Sequence, residues 1–277
     1  MFFININSRL LLNNATTIPQ LGFGVWQAEK GKQAEQAILW ALQAGYRHFD
    51  TATAYGNEES VGNAIHKSGL KREDLFVTTK LWNQDMRDHK QAEAFKISLE
   101  KLNMDYVDLY LIHWPVAGVY KESWKVMEDI YKSGRAKAIG VSNFKKHHME
   151  DLLSDCEIIP AVNQMEFNPL IQDNEILEFC RSKGIAFEAW SPLGCGNLIK
   201  DKEIAAIGKK YGKSGPQVIL RWILQKGIIV FPKSVHKERI YENADIFDFE
   251  LTKEDMSLFD SMNKNQRSGA DPDTFKF

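Results

Sequence analysis

The chain has 277 residues, 44% of them hydrophobic and 26% charged, and 35 basic against 37 acidic side chains leave a net charge of −2. That mix excludes a disordered chain, a collagen and a coiled coil, and it offers no bulk electrostatic reason to bind nucleic acid or an anionic membrane. Three cysteines, Cys156, Cys180 and Cys195, with no CxxC pair, argue against a disulfide framework and a thiolate zinc site, as in a reduced cytoplasmic protein.

The start, Met1-Phe2-Phe3-Ile4-Asn5, has no basic residue ahead of its apolar ones and reads poorly as a leader. From Ile4 to Ile18 the chain can form a hairpin around Asn13-Asn14. Beyond it, short apolar segments alternate with amphipathic helical ones. The predicted strands are Leu21–Val25, Arg47–Phe49, Leu75–Thr79, Val107–Ile112, Lys137–Val141, Ala161–Met165, Ala186–Trp190 and Ile228–Phe231. The predicted helices are Gln33–Ala44, His89–Leu102, Ser123–Lys132, Lys145–Leu153 and Asn174–Lys183, with two more inside Asp201–Lys226 split at Gly212–Gly215. The apolar run Val218 to Leu224 is broken by Arg221 and is too short to cross a bilayer. No stretch reads as a linker, so one domain over residues 1–277 is expected.

Several of these strands are near-continuous apolar runs, as parallel strands buried on both faces require. Eight β–α units predict an α/β fold, a (β/α)8 TIM barrel, whose amino-terminal end the hairpin would cap. An open dinucleotide-binding sheet would carry G-x-G-x-x-G after an early strand. Neither Gly22-Phe23-Gly24 nor Gly194-Cys195-Gly196 completes that pattern.

In such a barrel the chemistry sits at the carboxyl ends of the strands. There the sequence places Asp50 with Tyr55 in the following loop, Lys80, His113-Trp114, Ser142-Asn143, Gln164, Trp190-Ser191 and Lys233-Ser234. A free tyrosine holds its proton too tightly for easy donation at neutral pH, and a nearby ammonium lowers that barrier. Lys80 could supply the charge, Asp50 could keep Lys80 protonated, and His113 could orient a carbonyl oxygen against Tyr55. Such a set donates a proton to a developing alkoxide but holds no hydride source, so it needs a cofactor. Taken singly, each residue has an ordinary structural reading; their joint placement on one rim points to a site. No metal is expected: His147-His148 has no carboxylate or cysteine at ligand spacing. Ser191 lies in no G-x-S-x-G turn, which argues against a serine hydrolase. Lys233, His236, Lys237 and Arg239 form a basic cluster directly after a strand, suited to a phosphate.

The run Gly45-Tyr46-Arg47-His48-Phe49-Asp50-Thr51-Ala52, followed by Glu58 and Val61-Gly62, resembles the aldo-keto reductase signature at every defined position. Asp105–Trp114 with Pro115, Gly140-Val141-Ser142-Asn143-Phe144, and Pro232-Lys233-Ser234 with Arg239-Ile240 and Glu242-Asn243 resemble that family's later motifs, so the likeness runs from about Leu21 to the end. It implies an NADPH-dependent carbonyl reductase with the tetrad Asp50, Tyr55, Lys80 and His113, in which Tyr55 is the general acid. It also implies that Ser142, Asn143 and Gln164 hold the nicotinamide carboxamide and that Trp190 stacks on the ring. Ser191 and Leu193 would line the pyrophosphate. Lys233, Ser234 and Arg239 would grip the 2′-phosphate with His236 beside them, and Glu242 and Asn243 would lie near the adenine. Trp190 replaces the tyrosine of many relatives, and His236 a threonine or arginine.

A short loop after Trp114 and an early end resemble the compact microbial and protozoan members: 2,5-diketo-D-gluconate reductases, glyoxal and methylglyoxal reductases and prostaglandin F synthases. Substrate walls of Val25, Trp26, Trp82, His113 and Trp114, with help from the tail, predict broad specificity for small aldehydes and α-dicarbonyls. The alternatives are a prostaglandin F synthase-type activity, a non-catalytic regulatory member of the fold, and a Schiff-base aldolase using Lys80. No obvious apolar stripe is exposed, so a monomer is expected.

Overall fold

The computed structural model describes residues 4–275. Met1–Phe3, which open the segment read as a poor leader, and Lys276 and Phe277 of the tail lie outside them.

A hairpin comes first: β1 (Arg9–Leu11) pairs antiparallel with β2 (Thr17–Pro19). It is shorter than the predicted Ile4–Ile18, and its turn spans residues 12–16, where Ala15 takes a positive φ of 65°. Asn13 and Asn14 do more than turn the chain. Their side-chain amides donate to Pro160 O and Lys137 O and so fasten the hairpin to loops at the foot of the barrel. Leu12 and Ile18 join Phe76, Leu109, Leu111, Val162 and Ile229 in one apolar cluster, so the hairpin plugs the amino-terminal end as expected.

Eight parallel strands follow: β3 (Phe23–Gly24), β4 (His48–Asp50), β5 (Phe76–Leu81), β6 (Leu109–Ile112), β7 (Ile139–Ser142), β8 (Val162–Glu166), β9 (Ala186–Trp190) and β10 (Ile229–Val230). They pair in chain order. The sheet closes on itself where Gly22 N donates to Val230 O at 2.8 Å and Val230 N to Gln20 O at 3.0 Å. All eight predicted strands are present, shifted by one or two residues at most ends because the sequence cannot show where ladder bonds start and stop.

The helices are α1 (Lys32–Gln43), α2 (Glu58–Ser68), α3 (Asn83–Arg87), α4 (Gln91–Leu102), α5 (Tyr120–Lys132), α6 (Lys146–Leu153), α7 (Asn174–Ser182), α8 (Lys202–Lys210), α9 (Gly215–Gln225), α10 (Lys237–Ala244) and α11 (Lys253–Ser261). The split of residues 201–226 into two helices is present, with Ser214 capping the second. The sequence reading missed α2, α3, α10 and α11. Helix α2 buries only a narrow stripe of Val61, Ala64 and Ile65 with polar Glu58 and Ser60, a weak periodic signal. It approaches α4 so closely that a Cβ on Gly62 would lie 2.2 Å from Leu102 O.

Strand alternation divides the side chains between two environments. On β6, Tyr110 and Ile112 pack outward with the helices, while Leu109 and Leu111 pack inward above the hairpin. The same alternation turns Asp50, Lys80, Gln164 and Glu188 into the upper interior, where they bond to one another.

Candidate active site

Lys80 is fully buried near the end of β5, and its ammonium is held from three sides. Its Nζ donates to Asp50 Oδ1 at 2.6 Å, to Thr51 O at 2.9 Å and to Tyr55 Oη at 3.3 Å. All three N–H bonds are thus committed. Burial works against the charge, but Asp50 and the Tyr55 hydroxyl overcome it and hold the Lys80 pKa above the ordinary lysine value.

Tyr55 stands at the end of a single 3-10 turn, Thr53–Tyr55, which Gly56 closes in the left-handed region at φ 66°. Lys80 was expected to lower the Tyr55 pKa. The structure moves it the other way: burial raises it, Asp50 adds to the rise, and the opposing pull of Lys80 does not prevail. The phenol therefore keeps its proton at neutral pH. Because Tyr55 Oη accepts from Lys80, its own O–H is left to donate elsewhere. His113 meets Tyr55 edge to face at 5.6 Å between ring centroids and meets Trp82 at 5.3 Å, with Trp114 nearly parallel at 6.4 Å. Burial, then the Lys80 charge, push the His113 pKa well below its ordinary value, so the ring is a neutral donor–acceptor.

The rim groups on β7 to β9 bond chiefly to each other. Ser142 Oγ donates to Gln164 O, and Asn143 Nδ2 donates to His113 O at 3.0 Å and Ser142 Oγ at 3.1 Å. Asn143 itself sits at φ 66°, a conformation asparagine tolerates. Trp190 Nε1 donates to Asn143 Oδ1 at 2.9 Å, which fixes the orientation of the half-buried indole. Residues 263–275 cross this rim. Ser268 N and Gly269 N donate to the buried Glu166 carboxylate, and a Cβ on Gly269 would lie 2.3 Å from Trp190 Cη2. Farther along, Phe275 lies 4.8 Å from Trp114.

Leu193, Lys233, Ser234, His236, Arg239, Glu242 and Asn243 all line one cavity of about 350 Å³, and Ile199, Ser214, Gly215, Pro216 and Val235 complete its wall. Lys233 Nζ spends one N–H on Gln27 O, leaving two. The Ser234 hydroxyl accepts from His236 N at the start of α10. Ser191, two residues before Leu193, does not line the cavity, and its Oγ lies 3.3 Å from Cys195 Sγ. A larger hollow of about 770 Å³ lies away from the rim between α2, α4 and Tyr106, and holds none of the predicted site residues.

Of the predicted substrate walls, Trp26 is 46% exposed, and Trp82 and Trp114 surround His113. Val25 differs: its side chain is fully buried in the core because its backbone is fixed between Asp50 O and the Asn57 amide. His147 and His148 also differ from the sequence reading. The fold brings Asp273 to 3.1 Å from His147 Nε2 and 3.8 Å from His148 Nε2, a carboxylate that spacing along the chain could not show. Lys145 N donates to His148 Nδ1, so that ring carries its proton on Nε2 and faces Asp273 as a donor rather than a metal ligand.

Glu188 and Glu166 escaped the sequence reading. The signal for Glu188 was present: in Ala-Phe-Glu-Ala-Trp, period-two alternation turns it inward with Trp190.

A family model described as the aldo/keto reductase family matches residues 20–264. A glyoxal reductase of Bacillus subtilis is 48% identical over 273 residues, with 99% of both chains aligned. A 9,11-endoperoxide prostaglandin H2 reductase of Trypanosoma cruzi is 47% identical over 267 residues, covering 95% of this chain and 94% of that one. Among solved structures, a Bombyx mori aldo-keto reductase in complex with NADP superposes with a TM-score of 0.90 at 38% identity, covering 98% of this chain and 97% of that one.

Proposed function

Because the chain belongs to the aldo/keto reductase family, we propose that it reduces small aldehydes and α-dicarbonyls to alcohols, with NADPH as hydride source and Tyr55 as proton donor. One observation carries this reading: Lys80 Nζ bridges Asp50 and Tyr55 from a fully buried position and leaves the Tyr55 O–H unspent.

The residues fit the cofactor. The 350 Å³ cavity offers Lys233, Arg239 and the Ser234 hydroxyl to a phosphate that carries about two charges, with Glu242 and Asn243 on the same wall for the adenine and His236 at its mouth. Ser191 and Leu193 would line the pyrophosphate. Ser142, Asn143 and Gln164 would receive the carboxamide, and the indole of Trp190, anchored by Asn143, would carry the nicotinamide ring. When bound, that ring supplies the hydride. Neutral His113 takes the substrate carbonyl oxygen beside Tyr55. Tyr55 then gives its proton to that oxygen as the carbon becomes an alcohol carbon, and the phenolate left behind is neutralised by Lys80, itself held charged by Asp50.

Trp82 and Trp114 beside His113, with the exposed Trp26, would make an aromatic mouth with few polar groups, which supports a broad range of small carbonyls. The likeness to a glyoxal reductase supports the α-dicarbonyls in particular. The likeness to an endoperoxide reductase makes prostaglandin H2 a compound to include in the panel. An aldolase reading of Lys80 is disfavoured, since a nucleophilic amine needs a free lone pair and all three N–H bonds of this ammonium are taken.

The test follows the loss of NADPH absorbance with methylglyoxal. Tyr55→Phe is expected to lower kcat by about 10²- to 10⁴-fold while NADPH binding survives. Full activity in Tyr55→Phe would remove Tyr55 from the mechanism. Failure of the parent to bind either NADPH or NADH would remove the cofactor assignment.

A further inference from the structure

Glu188 is a buried carboxyl for which the proposed mechanism has no use. Its side chain projects from β9 into the barrel with no exposed surface. In the parallel register it lies opposite Gln164 on one side and Ile229 on the other. Gln164 Nε2 donates to Glu188 Oε2 at 2.8 Å and to Asp50 Oδ2 at 2.9 Å. Asp50 Oδ1 in turn takes the Lys80 ammonium. A continuous chain of bonds therefore runs from Glu188 through Gln164, Asp50 and Lys80 to Tyr55.

The chain settles the amide's orientation. Two carboxyl groups face the same Gln164 atom, so that atom is the NH2, and both its protons are spent. Gln164 Oε1 is the atom left to accept a further bond. A charged Glu188 would be poorly supported there. It receives one amide N–H, its Oε1 has no partner among the described residues, and Lys80 on β5 is already claimed by Asp50 on β4. Beside it, β8 offers only the uncharged amide and β10 an apolar side chain. Burial first, and the Asp50 charge second, push its pKa up to about 8.

We propose that Glu188 is a positioning residue: from β9 it holds the Gln164 amide with its NH2 on Asp50, leaving the Gln164 carbonyl oxygen to receive the carboxamide of the bound nicotinamide. This rests on the reductase reading above, in which Gln164 faces that carboxamide. Neutral Glu188 contributes a bond without adding a second negative charge beside Asp50. Once ionised, it would strengthen the hold on the Lys80 charge and make the Tyr55 proton harder to release.

Two substitutions separate the bond from the charge. Glu188→Gln keeps the accepting oxygen and the shape but cannot ionise. Glu188→Leu keeps the volume but removes the acceptor. NADPH affinity, read by quenching of tryptophan fluorescence, is expected to fall about five- to tenfold in Glu188→Leu, the share of one buried hydrogen bond, and to be restored in Glu188→Gln. The reductase pH profile of the parent is expected to show an alkaline limb near pH 8 that Glu188→Gln lacks. Infrared spectra of the cofactor-free chain provide a readout independent of activity: a protonated-carboxyl C=O band at neutral pH that titrates near pH 8 and is missing in Glu188→Gln. If Glu188→Leu does not fold, the band and the pH profile of Glu188→Gln decide alone. Parent NADPH affinity in a folded Glu188→Leu, an unchanged profile in Glu188→Gln, or no titrating band overturns the proposal. Failure of the parent to bind NADPH or to reduce any carbonyl would instead overturn the reductase reading and leave the infrared result standing.

Discussion

Each rim side chain is defined by what its neighbours leave it able to do. Lys80 has no N–H to spare, so in the proposed reaction it holds charge; Tyr55 has one O–H to spare, so in that reaction it would give the proton. Lys80→Met is therefore expected to be costly beyond activity. It leaves the Asp50 carboxylate buried with only the Gln164 amide, which should lower stability by about 3–5 kcal/mol in urea unfolding. A loss below about 1 kcal/mol would mean that Asp50 takes up a proton cheaply and that the pair is not a true ion pair. Arg239 works at the exposed mouth of the cavity, where a guanidinium suits a phosphate that NADPH has and NADH lacks. Arg239→Ala should weaken NADPH binding by about ten- to a hundredfold and leave NADH nearly unchanged, as titration with each would show. Equal losses for both would place Arg239 away from the 2′-phosphate. Most of these residues were readable in the sequence, because a strand's carboxyl end is a local feature. The direction of the Tyr55 pKa was not, because burial sets it and burial belongs to the whole fold.

Helix α2 was hidden by its polar face, yet it helps to build the site. Its buried Glu58 accepts from Thr79 Oγ1 at 2.7 Å, next to Lys80 on β5. It packs on α4 through Gly62, whose missing Cβ admits the Leu102 carbonyl. Gly62→Ala should force the helices apart and lower stability by about 1–3 kcal/mol, measured by denaturant unfolding. An unchanged midpoint would show that this contact relaxes at no cost. The terminal segment behaves similarly as an element placed by others. Lys145 grips Asp271 and Asp273, Glu166 holds two backbone N–H groups, and together they lay residues 263–275 across the mouth beside Trp190.

The whole molecule carries an acid sensitivity in two imidazoles, His48 fully buried and His148 partly buried. Burial takes the His48 pKa down to about 3, and burial with the neighbouring His147 takes His148 down to about 4. Both are depressed bases, so the native state binds fewer protons than the unfolded chain between those values and about 6.5. Their contribution is complete above about pH 6.5 and is lost as the pH falls, at roughly 1.4 kcal/mol per pH unit for the fully buried His48 and less for His148, whose charge solvent partly screens. Unfolding free energies measured from pH 7 to pH 4 should show that decline. A flat profile would mean that these rings take up protons within the native fold. The sequence by itself determined the count of β–α units, the inward turn of alternate strand residues, and the set of side chains at the strand tips, because alternation and strand ends are local properties of the backbone. Tertiary structure alone decided which of those side chains meet. Gln164 reaches Asp50 across 114 residues, Lys145 reaches Asp271 across 126, and Ser268 reaches Glu166 across 102. Such pairs are fixed by barrel closure and by the path of the tail over the rim. The protonation of Tyr55, His113 and Glu188 follows from the burial which that closure imposes.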